Sequence, residues 1–123
     1  MKFHAIRENH LYSKAYSKGK RAVTPAVAVY ILPDYTAEAL RRANPQKVRI
    51  NRIGLTVSKK LGGAVIRNRV KRILREAYRA IDKETPVKTG HLIVIAARER
   101  AVTYKTPALQ DELAYALKRL SLI

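Results

Sequence analysis

Apolar residues recur along this chain with two different periods, and the switches between them mark out its elements. AVAVYIL (26–32) is β-branched and aromatic, closes at Pro33 and Asp34, and predicts a strand. VRINRIGLTVS (48–58) alternates apolar and polar positions and predicts a second strand, antiparallel to the first. Residues 33–47 are the loop between them, with a helical turn at AEALRRA ahead of Pro45. LGG (61–63) breaks the chain, and from 64 to about 83 the apolar period is that of a long helix. HLIVIAAR (91–98) is almost entirely apolar, as a strand buried in the middle of a sheet must be. Thr106 followed by Pro107 starts a helix whose buried stripe is Leu109, Leu113, Leu117 and Leu120. Ahead of all these, HLYSKAYSK (10–18) reads as a short helix, with Asn9 as N-cap and Gly19 just past its end. The order is helix, β-hairpin, helix, strand, helix. It predicts an α/β (α+β) sandwich with a mixed sheet, a single domain over residues 1–123.

The two predicted strands have unlike faces. Val27, Val29 and Ile31 point one way, and Ala26, Ala28, Tyr30 and Leu32 the other. Ile53, Leu55 and Val57 match the bulky side, while Arg52, Gly54, Thr56 and Ser58 lie opposite. One sheet face is therefore packed with branched side chains. The other has a floor of small residues, with an aromatic ring and a cation. Such a floor leaves room for a ligand chain, and a tyrosine on it can stack on an unpaired base. The same pattern fits a face that the first helix covers, with Tyr30 as ordinary core. That helix carries Tyr12 and Tyr16 one turn apart, so a groove walled by these two and floored by Tyr30 satisfies the pattern as well.

Charge sharpens the question. The chain has 26 Lys and Arg against 9 Asp and Glu, a formal net charge of +17, with 47% hydrophobic residues. That apolar content supports a folded core rather than a polybasic tail. The excess charge repels itself and calls for a polyanionic partner, nucleic acid first and an anionic membrane surface second. With no cysteine there is neither a disulfide framework nor a Cys-based zinc site. The longest apolar run, Leu92 to Ala97, is too short to span a bilayer. MKFHAIRENH lacks the apolar run of a secretory signal, so a cytoplasmic location is expected.

The segment AVIRNRVKRILREAYR (64–79) joins both themes. A helix turns roughly 100° per residue, which places Ile66, Val70, Ile73, Leu74, Ala77 and Ile81 on one side. Asn68, Lys71, Arg72, Arg75 and Arg79 cluster opposite, with Arg67 and Arg69 on the flanks. Solvated helix faces usually mix signs in i,i+4 pairs. Here no acid occurs from Ala39 to Arg75, against twelve Lys or Arg. That favours a polyanion-binding face over a merely solvated one. Self-contained catalysis, by contrast, has no visible support. His4, His10 and His91 are scattered, and the acids show no metal-ligand spacing. KKLGG is not a P-loop, since the second glycine is followed by Ala rather than Lys and Ser/Thr. Its glycines suit a strand-to-helix turn whose N–H groups can meet a phosphate.

GLTVSKKLGGAVIRNRVKRILREAYR (54–79) resembles the signature of the bacterial ribonuclease P protein subunit, above all in SKK followed by RNRVKR. YSKAYSKG, VAVYIL and IVIAAR are similar to the family's first helix, its Tyr-bearing strand and the strand after the basic helix, so the resemblance covers most of the chain. It implies an α/β sandwich with a left-handed βαβ crossover, against the usual right-handed rule. It implies a partner, the catalytic RNA, with which the family removes 5′ leaders from precursor tRNA. Chemistry and most of the Mg²⁺ binding then belong to the RNA, with one protein per RNA, and the protein has no catalytic residue and no metal site of its own. By position, Lys59, Lys60, Arg67, Asn68, Arg69, Lys71, Arg72 and Arg75 would face RNA. Tyr12, Tyr16 and Tyr30, with Arg52, Thr56 and Ser58, would line the leader groove. The family commonly has Phe at the first two positions; Tyr keeps the stacking face and adds a hydroxyl. Two other readings compete: a basic ribosomal-type or RNA-chaperone protein without associated catalysis, and a peripheral membrane binder. The last needs large apolar residues exposed beside the cations, and the predicted sheet consumes them.

Overall fold

Buried Leu92, Ile93, Val94 and Ile95 leave β4 (His91–Ala97) no polar face to give to solvent, so it needs cover on both faces and a partner on each edge. In the computed structural model, which describes residues 5–34 and 51–123, it has both. β2 (Val27–Pro33) pairs antiparallel along one edge of β4, and β3 (Arg52–Thr56) pairs parallel along the other. β1 (Lys20–Val23) adds antiparallel to β2, giving the order β1-β2-β4-β3.

This corrects the expected hairpin. Segments 26–32 and 48–58 are not neighbours, because β4 lies between them. β3 alternates and tolerates a sheet edge, whereas β4 does not. A parallel β3–β4 pair also requires a crossover, which α2 (Ala64–Glu84) supplies. The hairpin is instead β1–β2, closed through Thr24. Its N–H donates to the Val27 carbonyl at 2.8 Å, and the Val27 N–H donates back to Thr24 Oγ1 at 3.1 Å. KRAV is only four residues with two cations, too little periodicity to read as a strand. Of the expected loop and second strand, positions 35–50 lie outside the described residues, including the helical turn at 37–43.

α2 and α3 (Thr106–Arg119) pack on one face of the sheet. There Val27, Val29, Ile31, Ile53, Ile93 and Ile95 meet Val70, Ile73, Leu74, Ala77 and Ile81 of α2 and Leu109, Leu113 and Leu117 of α3. Each of these buried Val, Leu and Ile side chains contributes roughly 1.5–3 kcal/mol relative to exposure. Four expectations shift. Tyr78 joins the core, Ile66 at 39% exposure leaves it, and Ala116 takes the place of half-buried Leu120. Ala26 joins it too, because it lies in the Thr24–Ala26 turn, where strand alternation does not apply.

α1 (Asn9–Lys18) lies across the opposite face. Glu8, not Asn9, holds its N-cap position, and the Glu8 carboxylate bonds Arg52 rather than the helix end. Gly19 follows the helix in extended geometry. A Cβ there would lie 2.5 Å from the Ala15 carbonyl oxygen and 2.8 Å from that of Ile31, so the close approach of α1 to β2 requires glycine. A small second core, Ile6, Ala15, Leu92 and Val94, holds α1 down, with Leu11, Tyr12, Tyr30 and Leu32 around it. No helix among the described residues is long and apolar enough to cross a membrane.

Candidate nucleic-acid interface

The chain leaves β3 through a tight turn that decides where its cations point. Lys59–Leu61 form a single 3-10 turn, and Gly62 follows at φ 151°, a conformation that favours glycine. A Cβ on Gly62 would approach the Ile66 side chain to 2.9 Å. Ile66 therefore closes the turn instead of docking on the sheet. α2 begins at Ala64 behind Gly63, with no side-chain cap and no acid in its first turn. Exposed Lys59 and Lys60 sit just before this helix start, where acids would ordinarily balance the helix dipole. Along α2, Asn68, Arg72 and Arg79 are exposed, while Lys71 and Arg75 are half-buried. Arg69 is tied down: its Nη1 donates to the Val102 carbonyl at 3.1 Å, joining α2 to the 3-10 turn Glu99–Val102. The Nε of Arg67 is buried and has no hydrogen-bond partner among the described residues.

On the other face, α1 covers one part of the sheet and leaves another part open. Tyr12 belongs to the covered part. Its ring lies on Gly54, where a built Cβ would come within 2.4 Å, and its hydroxyl donates to the Ile6 carbonyl at 3.4 Å. Burial, with Tyr16 nearby, pushes that hydroxyl above the usual tyrosine pKa. Tyr16 belongs to the open part and is 44% exposed. It meets Tyr30 edge-on, with ring centroids 4.8 Å apart at 85°, and its hydroxyl shares a 3.0 Å hydrogen bond with Thr56 Oγ1. Ser58 continues the same strand side and is exposed. Arg52 is engaged within the protein. Nε and Nη2 grip the two oxygens of buried Asp34 at 2.7 and 3.0 Å, and Nη1 reaches Glu8 at 3.3 Å. The hydrogen bond to Asp34 chiefly raises its pKa further, so it stays charged and paired.

Beyond Ser58 the open side widens into a cleft of about 630 Å³ lined by Pro25, Ser58, Lys60, Leu61, Arg98, Glu99 and Arg100. The sequence reading did not single out Arg98 or Arg100. The signal was there: Val94, Ala96 and Arg98 alternate onto the same side as Tyr30. Arg98 also braces the β1–β2 turn, donating from Nη1 to the Thr24 carbonyl at 2.7 Å and from its N–H to the Ala26 carbonyl at 2.8 Å. Glu112 holds the turn from behind, accepting the Ala26 N–H at 2.9 Å. Burial pushes the Glu112 carboxyl up, but hydrogen bonds from Thr24, Ala26 and Tyr104, with the Arg100 charge, bring it below the usual range. Among the described residues no three His, Asp or Glu side chains gather as a bound cation would require.

The 3-10 turn of SKK thus packs against the helix that carries RNRVKR, beside a cleft lined in part by Ser58 and Lys60. Residues 1–121 match the family model of Ribonuclease P. The chain belongs to the ribonuclease P protein family. A ribonuclease P protein component from Alkaliphilus oremlandii is 34% identical, over 96% of this chain and 91% of the relative. The solved Staphylococcus aureus RNase P protein is 27% identical, covers 98% of both chains and superposes with a TM-score of 0.77. A mutant of the S. aureus protein, described as defective in mRNA degradation activity, superposes equally well at 0.77, with 27% identity over 98% of this chain and 90% of that one.

Proposed function

We propose that this chain is the protein subunit of a ribonuclease P ribonucleoprotein and that it holds the 5′ leader of precursor tRNA beside the catalytic RNA. The observation that carries this reading is Tyr16. A ring 44% exposed, set edge-on to Tyr30 and hydrogen-bonded to Thr56, offers a stacking platform to an unpaired base. Lys59, Lys60, Asn68, Lys71 and Arg72 form the neighbouring ledge, suited to phosphates of the RNA subunit. Arg67 and Arg75 flank this ledge, and Arg69 positions it through Val102. In this reading Mg²⁺ is bound mainly by the RNA and supports hydrolysis there, yielding the mature tRNA 5′ end. The protein's part is to bind, orient and neutralise, one copy per RNA, in the cytoplasm.

The test is reconstitution with a bacterial ribonuclease P RNA, assayed on precursor tRNA at low Mg²⁺. The chain should lower the Mg²⁺ requirement and favour leader-bearing over mature tRNA. RNA-free protein should cut neither precursor tRNA nor an mRNA, the second substrate being a necessary control given the activity named for the S. aureus protein. Cleavage of precursor tRNA by RNA-free protein, or no effect on the reconstituted RNA, would overturn the proposal.

A further inference from the structure

A single strand stacked on Tyr16 and Tyr30 needs a cation for its backbone, and the structure removes the obvious one. Arg52 is committed to Asp34 and Glu8. Arg98 is held by the Thr24 carbonyl, and Arg100 faces Glu112 and Tyr104. On the opposite flank, β1 places Arg21 directly across from Tyr30. Residues paired in this way share a face, with Cβ atoms roughly 4.5–5.5 Å apart. Arg21 therefore stands on the groove side, together with Val23, which pairs with Ala28 and is 49% exposed. Lys20 and Ala22 point to the other side. Arg21 is exposed and has no hydrogen-bond or ion-pair partner among the described residues. A cation on an edge strand also discourages unwanted strand pairing. Lys20 meets that need from the other face, and it does not explain a charge set beside the aromatic pair.

We infer that Arg21 is the phosphate-binding residue of the groove, holding the backbone of single-stranded RNA whose base lies against Tyr16 and Tyr30. The inference rests on the groove reading above, and its test separates the two. Holoenzyme reconstituted with Arg21→Ala, Arg21→Lys or Tyr30→Ala protein is titrated with precursor tRNA carrying a leader of several nucleotides and with mature tRNA, across a salt series. Arg21→Ala should weaken leader-bearing RNA by roughly tenfold or more, as loss of one charge-assisted contact does. It should also flatten the salt dependence by about 0.7 in log–log slope, the value for one contact to a single strand. Mature tRNA should be unaffected, and Arg21→Lys should recover most of the loss. Position 21 is exposed, so folding should survive, which cooperative melting verifies. If Tyr30→Ala weakens leader binding and Arg21→Ala does not, the groove stands and the Arg21 assignment is wrong. If Arg21→Ala weakens both RNAs equally, Arg21 contacts another part of the complex and the assignment is again wrong. If Tyr30→Ala has no leader-dependent effect, the stacking reading fails, whatever Arg21 does.

Discussion

Gly54→Ala probes the joint between fold and groove. Gly54 is buried in β3 opposite Val94 and is not among the glycines with positive φ, so the backbone accepts alanine without strain. The obstacle is Tyr12: the new Cβ would lie 2.4 Å from its Cε1 and 2.6 Å from both Cζ and the hydroxyl oxygen. Ordinary contact begins near 3.4 Å, so the ring must retreat by about 1 Å. It cannot retreat without loosening the Ile6 hydrogen bond and lifting α1 from Leu92 and Val94. Overpacking of this kind costs about 1–3 kcal/mol. Replacing glycine in a compatible backbone returns about 0.4–1 kcal/mol. The net expectation is a loss of about 1–2 kcal/mol, a fall in Tm of about 4–8 °C for a domain of this size. Thermal and urea melts of Gly54→Ala, Tyr12→Ala and the double variant measure it. With Tyr12 truncated, Gly54→Ala should become neutral or stabilising, giving a coupling of about 1–2 kcal/mol. Equal cost in both backgrounds would show that Tyr12 does not rest on Gly54.

Tyr30→Ala, and Tyr16→Ala beside it, remove a stacking surface of roughly 1–3 kcal/mol per base. Leader-bearing precursor tRNA should then lose about tenfold or more in holoenzyme affinity while mature tRNA does not, and Tyr30→Phe should retain most of the binding; equal losses for both RNAs would make these rings mere core. Arg72→Ala removes an exposed charge from α2 and should weaken RNA binding with and without a leader, with a shallower salt slope; a loss confined to leader-bearing RNA would contradict the division of surfaces. Burial pushes the Tyr78 hydroxyl up to about 12 from its ordinary value near 10, despite the hydrogen bond from Asn51. A group whose folded pKa is raised contributes stability below its unfolded pKa and loses it as pH rises through the folded one. Stability should therefore fall by roughly 2–3 kcal/mol between pH 10 and about 12, and Tyr78→Phe should flatten that limb; an unchanged alkaline limb would place the hydroxyl in water.

Local pattern carried much of this molecule. The long helix with one apolar and one basic side, the buried strand at 91–97 and the C-terminal helix follow from periodicity alone, because each side chain's face is set within its own element. Net charge and the acid-free stretch 39–75 point to a polyanion from the sequence alone, since charge is additive along a chain. Strand order was not legible. That β4 divides β2 from β3 depends on which strand most needs burial, a comparison among segments far apart in sequence. β1 was too short to announce itself, and with it went Arg21, which gains meaning only opposite Tyr30. Arg52 and Arg21 look alike in the sequence. Only the fold brings buried Asp34 and Glu8 to Arg52, pairing its charge, and leaves Arg21 exposed beside the groove. Tyr12 and Tyr16 likewise share a helix face one turn apart. Their different exposure came from Gly54 beneath one ring and Thr56 beside the other, contacts forty or more residues away that no local period encodes.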